Sequence, residues 1–247
     1  MNIKRFIERI KLQTRAWKYK IKHDKGGIAY ICTQLKEGQT VLDIGAHKGG
    51  YLFWILRRIG PGGRAVALEP QSRLYQYLCM LKSLLRWEQA TIARLALSDK
   101  EGQTTLYIPI HRKGGGHSSP GATIVSEKAR DERFMEETVN TRTLDTYCAE
   151  YGLAPDLLKI DVEGNELRVL RGGEQTLLRY KPRILVEIEA RHVGAEQVQE
   201  TFDYLARLGY RGYFICGASL RPLEEFSIAR YQNTQNMREY CNNFVFE

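Results

Sequence analysis

The order of apolar and polar positions predicts short buried strands that alternate with helices. Apolar or alternating runs predict strands at 40–44, 64–68, 91–97, 103–109, 137–143, 157–160, 183–188, 212–216 and 243–246. Helical periodicity predicts helices at 50–59, 72–86, 166–179 and 196–208. This alternation is typical of an α/β fold with a doubly wound, mostly parallel, Rossmann-like sheet, and the last two strands predict an antiparallel edge.

Residues 1–25 predict an amphipathic, basic helix that precedes this sheet. Apolar side chains recur there at steps of three and four residues, and lysine or arginine fills most of the other positions. The apolar positions are Ile3, Phe6, Ile7, Ile10, Trp17 and Ile21. We expect this stripe to pack against the rest of the chain. The alternatives are a helix that meets anionic lipid as a peripheral membrane contact, a lid, or a homo-oligomer contact.

The net charge of +8 belongs almost entirely to this segment. Residues 1–25 contain nine basic and two acidic residues, so the other 222 residues carry a net charge of only +1. A near-neutral body without a recognised RNA-binding module disfavours a nucleic-acid partner.

Cysteine and hydropathy patterns limit the setting and the domain count. The five cysteines are scattered and provide neither a disulfide framework nor a CxxC metal site. No apolar run approaches the roughly 18 residues that cross a bilayer, and the first residues lack the apolar core of a signal peptide. We therefore expect a cytoplasmic protein with one domain over residues 26–247. The glycine-rich segment 111–123, with His111 and His117, is either a disordered surface loop or a mobile lid.

The strongest local signal for chemistry is the run VLDIGAHKGG at 41–50. A buried strand leads into Asp43, and Gly45 and Gly49 then allow a tight turn and a helix that starts close to the sheet. His47 stands where a dinucleotide fingerprint needs glycine, so the loop suits a nucleoside without a pyrophosphate. A nucleotide-dependent oxidoreductase is disfavoured for the same reason.

A second acid completes the pattern of a nucleoside site. Glu69 ends the second predicted strand, 24 residues after Gly45, where a carboxylate can accept hydrogen bonds from both ribose hydroxyls. Ser98 and Asp99 follow the third predicted strand, where an adenine ring would lie. The glycine turn and the acid together favour a bound adenosine.

These segments, in their order along the chain, resemble FkbM-type methyltransferases. The resemblance rests on VLDIGAHKGGY, ALEP, LALSD, TRTLD at 141–145, LLKIDVEGNELRVLRGG at 157–173 and ILVEI at 184–188. Its most specific part is KIDVEG followed by ExxVLxG, since the glycine turn alone would mark any class I methyltransferase.

The resemblance implies an enzyme that uses S-adenosylmethionine, in many members to methylate a hydroxyl of a sugar or another small metabolite. It assigns to the cofactor site Asp43, Gly45, Ala46, Gly49, Glu69, Ser98 and Asp99. His47 lies in the same turn and could also reach the cofactor, with a backbone hydrogen-bonding role as the alternative. Residues 1–25 are expected to be dispensable for cofactor binding.

An alcohol acceptor also needs a group that takes its proton. Asp161 and Glu163 follow a predicted strand at the edge where open α/β sheets bind ligands, and His192 comes shortly after Glu187 and Glu189. We expect Asp161, Glu163 and His192 to be catalytic, as bases or positioning groups. A divalent metal is the alternative, but this short motif supplies few oxygen ligands, so no metal-binding residue is assigned.

The acceptor atom is expected to be oxygen. Class I enzymes that methylate amines and bases often carry a Pro-Pro-aromatic motif after this strand, and this chain has IDVEG at 160–164 instead. The sequence therefore predicts an O-methyltransferase of a small-molecule or glycan hydroxyl. An RNA methyltransferase that uses the basic helix, and a nucleoside-binding or membrane-surface protein without catalysis, are the alternatives.

Overall fold

Both faces of one sheet are covered by helices along most of the chain. The structure is a computed structural model that describes residues 3–110, 121–125, 134–217 and 219–247. Within these ranges the helices are α1 Ile3–Lys18, α2 Lys25–Gln34, α3 Gly50–Ile59, α4 Ser72–Leu85, α5 Leu144–Glu150, α6 Glu166–Arg171, α7 Glu174–Tyr180, α8 Ala190–Arg207 and α9 Ile228–Tyr231. The strands are β1 Thr40–Ile44, β2 Arg64–Leu68, β3 Ala90–Ala93, β4 Ala96–Leu97, β5 Gly102–Pro109, β6 Phe134–Arg142, β7 Leu157–Ile160, β8 Arg183–Glu187, β9 Gly212–Cys216, β10 Ser219–Pro222 and β11 Asn243–Phe246.

The central sheet has eight strands in the order β10-β9-β11-β8-β7-β1-β2-β3. The five strands from β8 to β3 are parallel, and β11 is antiparallel to both of its neighbours. The predicted fold, a mostly parallel, doubly wound α/β sheet with an antiparallel edge, is confirmed. Because the chain runs from β1 out to β3 and then returns to β7 on the other side of β1, the crevice between β1 and β7 is the switch point where such sheets bind ligands.

Successive side chains of the central strands point to opposite faces of the sheet and pack in two different apolar clusters. Leu42 and Ile44 of β1 pack with α5, α6, α7 and α8 in one apolar cluster, whereas Val41 packs with α2 and α3 in another. This follows from the two-residue side-chain period of a strand. Asp43 points to the same face as Val41 and is completely buried there, so this face of the sheet carries a charged group under the switch point.

The prediction of a single strand over 91–97 is wrong. β3 pairs with β2 in the central sheet, whereas β4 pairs with β6 in a separate three-stranded sheet of order β4-β6-β5. The physical reason is the length of β2, which ends at Leu68 opposite Ala93. Beyond that pair the chain has no strand to join in the central sheet, and it crosses to the smaller one.

The single helix predicted over 166–179 is also two helices. α6 ends at Arg171, and α7 begins at Glu174 after Gly172 and Gly173. A Cβ at Gly172 would lie 2.1 Å from the backbone oxygen of Ser98. The glycine therefore lets this turn sit directly against the end of β4, which a continuous helix with side chains could not do.

The N-terminal helix packs through the face opposite to the one predicted. Leu12 and Ala16 are fully buried, the indole N–H of Trp54 donates to the Ala16 carbonyl at 3.0 Å, and Arg15 donates to the Lys48 carbonyl at 2.9 Å. The predicted apolar stripe instead faces outward, and its members are Ile3, Phe6, Ile7, Ile10, Trp17 and Ile21. In the described part of the chain, no helix combines the length and the apolar character needed to cross a bilayer.

A π-helical turn, Tyr19–His23, joins α1 to α2 and fastens both to the domain. The Asp24 side chain caps α2 by accepting from the Gly27 N–H at 2.9 Å, and it also accepts from the Tyr51 hydroxyl. Tyr51 lies in α3, immediately after the glycine turn. Residues 19–24 thus belong to the same packed unit as β1 and α3, and the predicted boundary at residue 25 does not separate two structural parts.

We predict that Gly45→Ala lowers the free energy of unfolding by about 2–4 kcal/mol. Gly45 has a φ of +81°, and a Cβ there would lie 1.9 Å from the backbone oxygen of Asp161. β1 and β7 would have to separate at the switch point to relieve that overlap. Urea denaturation monitored by circular dichroism measures the loss.

Gly38→Ala is the matched control. Gly38 has a similar φ of +85° but nothing within 4 Å of an added Cβ, so it should cost only the left-handed strain of about 1–2 kcal/mol. Equal losses for the two variants would contradict the close contact between Gly45 and β7.

Candidate active site

A cleft of about 610 Å³ opens at the carboxyl ends of β1, β2 and β7. That size is typical of a small-molecule site. The predicted residues Gly45, Ala46, His47, Glu69 and the pair Asp161 and Glu163 all line it. The structure therefore brings six of the predicted site residues into one cavity, although they come from three separate parts of the sequence.

The glycine turn forms one wall of the cleft through its backbone. The N–H groups of Gly45 and Ala46 both donate to the Leu68 carbonyl, at 2.9 and 3.1 Å, which ties the turn to the end of β2. His47 and Gly49 then adopt left-handed backbone angles, with φ of 48° and 75°, and Gly49 precedes α3. Gly49 does not line the cleft, and its position lets α3 begin close to the sheet.

Glu69 is buried at the end of β2 and is held by two backbone donors. Its Oε2 accepts from the His47 N–H at 2.8 Å, and its Oε1 accepts from the Gln71 N–H at 2.9 Å. Burial raises the pKa of Glu69 to about 7, although these two hydrogen bonds oppose the rise. Each carboxylate oxygen can accept a second hydrogen bond, so Glu69 retains acceptor capacity toward a ligand that carries hydroxyl groups.

His47 lines the same cavity and carries a buried side-chain nitrogen. Its Nε2 has no hydrogen-bond partner among the described residues. Burial lowers the pKa of His47 to about 4, so the imidazole is neutral at physiological pH. A buried polar atom normally has a partner, and a polar group of a bound ligand would supply one.

A buried lysine that is not among the predicted site residues connects several groups at the floor of the cleft. Lys159 Nζ lies 3.2 Å from Asp161 Oδ2 and 3.8 Å from Asp43 Oδ1, and it donates to the Gly45 carbonyl at 3.4 Å. Its ammonium also lies 5.0 Å from the centre of the Tyr51 ring. Burial alone would lower the pKa of Lys159, but the two carboxylates raise it above its ordinary value.

Asp43 is fully buried beneath the cleft, where it contacts Lys159, and it does not line the cavity. Its burial raises its pKa to about 6, while the Lys159 charge acts in the opposite direction. Asp161, by contrast, is 32% exposed at the side chain and faces the cavity. Lys159 could have been found from the sequence as a charged residue inside an apolar strand, two positions before Asp161 and therefore on the same face.

Glu163 lines the cleft, whereas the predicted catalytic residue His192 does not line it and contacts Glu163. His192 Nδ1 lies 3.5 Å from Glu163 Oε2, and the other carboxylate oxygen accepts from the Gly121 N–H at 3.0 Å. Thr123 donates its hydroxyl to the Glu163 carbonyl at 2.9 Å. The end of the predicted glycine-rich loop thus lies on the site, while its residues 111–120, including His111 and His117, lie outside the described residues.

A second group of carboxylates lies beside Asp161, where β8 ends. The Asn242 amide bridges Glu187 and Glu189 at 2.7 and 2.8 Å. Burial and the neighbouring carboxylates raise the pKa of Glu187 well above its usual range. Burial would also raise the pKa of Glu189, but hydrogen bonds from groups that include Arg191, Asn242 and Tyr240 lower it to about 2. A proton in this pair is therefore held more firmly by Glu187 than by Glu189.

Ser98 and Asp99 do not line the described cleft. Ser98 is buried against Gly172, and Asp99 is exposed and accepts from the Ser98 hydroxyl at 3.1 Å. The cavity wall is formed instead by the preceding residues of this segment, Leu95, Ala96 and Leu97. The two predicted residues therefore follow the wall directly in the chain without lining it, because the register of β4 depends on its pairing with β6.

The N-terminal segment contributes side chains to the cleft. Tyr19, Lys22 and Asp24 line the cavity. Burial raises the pKa of Asp24, against the effect of its hydrogen bond with Tyr51. No motif marks these residues in the sequence, since their place depends on how α1 and the π-helical turn fold back onto α3.

The described residues contain no group of three or more histidine, cysteine, aspartate or glutamate side chains arranged to hold a metal ion. The carboxylates of the cleft are instead engaged with lysine, arginine, histidine and amide partners.

The fold is similar to the folds seen in crystal structures of other proteins. Methyltransferase FkbM from Methylobacillus flagellatus KT superposes with a TM-score of 0.56 at 15% identity, over 89% of this chain and 48% of that chain. Cofactor-bound Rv0187 from MTB superposes with a TM-score of 0.53 at 14% identity, over 96% of this chain and 87% of that chain. At these identities the two similarities concern the fold alone.

The sequence is similar to a curated enzyme and to a family model. The 2-O-methyltransferase NoeI of Sinorhizobium fredii is 26% identical over 155 residues, which are 58% of this chain and 61% of NoeI. The chain therefore spans less than two thirds of that relative. The model of the methyltransferase FkbM domain matches residues 43–211, a range that contains the glycine turn, Glu69, Lys159 and Asp161. Because this match covers most of the chain, the protein belongs to the FkbM methyltransferase family.

Proposed function

We propose that this protein is an S-adenosylmethionine-dependent methyltransferase that methylates a hydroxyl of a neutral small molecule, sugar or glycan. The observation that carries the proposal is a single cleft in which the glycine turn and Glu69 face the Lys159–Asp161 pair. One side offers acceptors for a ribose, and the other offers a carboxylate for an alcohol.

The residues of the cleft fit an adenosine-containing cofactor. Glu69 would accept from the ribose hydroxyls, and His47 Nε2 would gain the partner that it lacks among the described residues. Leu95, Ala96 and Leu97 provide an apolar wall for a base. When bound, the cofactor would supply an activated methyl group, so the protein mainly has to orient the acceptor and exclude water.

Asp161 is the residue we assign to the acceptor hydroxyl. Lys159 engages its Oδ2 at 3.2 Å, which orients the carboxylate and leaves Oδ1 to accept from an alcohol. The adjacent Gly45 backbone belongs to the cofactor turn, so an alcohol bound to Asp161 would lie next to the cofactor. In this role Asp161 positions the hydroxyl and takes its proton as the new bond forms.

The charge of the cleft favours a neutral, hydroxyl-rich acceptor over RNA. Six carboxyl side chains and three basic ones line the described cavity, and the amides of Asn242 and Asn243 add donors. Such a lining has no excess of basic groups to attract a polyanion, whereas sugar hydroxyls hydrogen-bond to carboxylates and amides. The similarity to a 2-O-methyltransferase supports the same choice of acceptor class.

Thermal-shift measurements with S-adenosylmethionine, NADH and a short RNA test the ligand class directly. A ligand that binds only the folded state stabilises it by mass action. We expect S-adenosylmethionine alone to raise the melting temperature, and transfer of radiolabelled methyl to a panel of sugars and glycans then tests the acceptor. Stabilisation by NADH or RNA but not by S-adenosylmethionine would refute the proposal.

The affinity for S-adenosylmethionine should increase as the pH rises through about 7. The raised pKa means that Glu69 is protonated in part of the ligand-free molecules at neutral pH, and the ionised form makes stronger hydrogen bonds to hydroxyl donors. Isothermal titration calorimetry on either side of that pH measures the change.

Two substitutions separate the charge of Glu69 from its shape. Glu69→Gln should remove this pH dependence, and Glu69→Ala should weaken binding by about 1–3 kcal/mol at high pH, because the ribose hydroxyls lose their acceptor. Unchanged affinity in a folded Glu69→Ala variant would exclude Glu69 from the site.

Asp161→Asn should keep cofactor affinity and lower kcat by roughly 10²–10⁴-fold, because an amide cannot take the acceptor's proton. Rapid-quench assays of methyl transfer, together with calorimetry, separate the two effects. A chelator should leave the wild-type rate unchanged if the carboxylate acts as a base. Loss of activity with a chelator, and recovery with Mg²⁺, would assign it to a metal instead.

His192→Gln is the matched comparison, since His192 and Glu163 form the other pair at the rim that could take a proton. We expect this variant to retain most of its turnover. Near-wild-type turnover of Asp161→Asn combined with a large loss in His192→Gln would move the base to the His192–Glu163 pair.

A further inference from the structure

The outward apolar face of α1 stays largely exposed and takes no part in the proposed chemistry. This outer stripe consists of Ile3, Phe6, Ile7, Ile10, Trp17 and Ile21, whose exposed fractions run from 44% to 76%. Single exposed apolar residues are ordinary, but five on one face of α1, followed by Ile21 in the π-helical turn, are the pattern of an interaction site. A shallow groove between Ile10, Trp17 and Ile21 lies along it.

The attachment of α1 to the domain depends mainly on the other side of the helix, and Trp17 is the member of the stripe that adds a ring contact, edge-on to Trp54 at 5.3 Å. At about 100° per residue, Leu12 and Ala16 lie on the side of the helix opposite to Ile10 and Ile3. Those two side chains are fully buried, and Arg15 adds a hydrogen bond to the Lys48 carbonyl. The helix is thus held in place through its narrow inner face and presents its broader apolar face to the surroundings.

Basic side chains border the outer stripe on both sides. On the same helical projection, Lys11 and Lys18 fall along one border and Arg9 along the other, and all three are exposed. Residues 1–25 as a whole carry a net charge of +7 within a chain whose remainder is nearly neutral. An apolar stripe between two basic borders is the pattern of a helix that lies in the headgroup region of an anionic bilayer.

We propose that the outer stripe docks this protein on a membrane surface that contains anionic lipid. The apolar side chains would enter the acyl boundary, while the border lysines and arginine would contact lipid phosphates. Trp17 suits that depth, since indole rings favour the membrane–water interface. A second copy of this chain is the less suitable occupant, because a two-fold contact would bring the same basic borders together.

Docking of this kind also orients the cleft. Lys22 lines the groove of the outer stripe and also lines the active-site cavity. The mouth of the cleft on that side would therefore lie next to the lipid surface. This consequence depends on the position of the cleft but not on the identity of the methyl acceptor.

Vesicle flotation of the full chain tests the proposal. The probes are vesicles of phosphatidylcholine alone and of phosphatidylcholine with one third phosphatidylglycerol. We expect the wild type to float with the anionic vesicles at low salt, and high salt to reduce the bound fraction because the charge attraction is screened. A wild-type chain that does not bind anionic vesicles would overturn the proposal.

The triple variant Ile3→Ser, Ile7→Ser and Ile10→Ser should bind at least about tenfold more weakly, because its apolar anchors are gone. These side chains are exposed, so its melting temperature and its affinity for S-adenosylmethionine should not change. Leu178→Ser with Leu220→Ser is the matched control, since both leucines are about as exposed but lie elsewhere, and it should bind like the wild type. Equal binding of the triple variant and the wild type would overturn the proposal.

Two further measurements distinguish lipid from a protein partner. Quenching of tryptophan fluorescence by brominated lipid should be lost in Trp17→Phe, while that variant still floats, because Trp54 is buried inside the domain and Trp87 is half-buried against its core. If the triple variant fails to fold, charge reversal of Arg9, Lys11 and Lys18 to glutamate should abolish flotation by itself. A dimer in sedimentation velocity that the stripe variants disrupt, without flotation of the wild type, would assign the face to a second copy and overturn the proposal.

Discussion

The active-site region depends on one buried positive charge. A lysine ammonium removed from water is tolerated only where opposite charges and hydrogen-bond acceptors surround it. Lys159 lies in β7 and meets this requirement with Asp161 directly after β7, Asp43 of β1 and the Gly45 carbonyl of the turn between β1 and α3. These contacts therefore hold β1 and β7 together at the switch point. They also orient Asp161, whose carboxylate faces the cleft.

The same burial sets the chemical state of the neighbouring acids. Glu69 is held by backbone N–H groups with its pKa near 7, whereas Asp161 is partly exposed and paired with a cation. One acid can thus change its protonation near neutral pH, and the other is oriented by its contact with the Lys159 ammonium. Two carboxylates with different surroundings can serve different purposes in one cleft, the first for binding and the second for proton transfer.

The N-terminal segment combines two roles that its sequence pattern does not separate. Its inner face and its π-helical turn complete the wall of the cleft through Tyr19, Lys22 and Asp24. Its outer face leaves a broad apolar stripe exposed between basic borders. Because both roles belong to one stretch of chain, a partner on the outer face would lie beside the cleft.

The sequence by itself determined most of the helices and strands, and it determined which polar residues stand at the ends of strands. Alternation of short apolar runs with helical periods specified the doubly wound sheet, and strand ends specified where Gly45, Glu69 and Asp161 meet, because parallel strands share one carboxyl edge. Only the tertiary structure decided that β4 joins the smaller sheet, which places Ser98 and Asp99 outside the cleft. It also decided that the apolar stripe of α1 faces outward. Both depend on contacts between residues far apart in the chain, and periodicity identifies an apolar face without specifying what lies opposite to it.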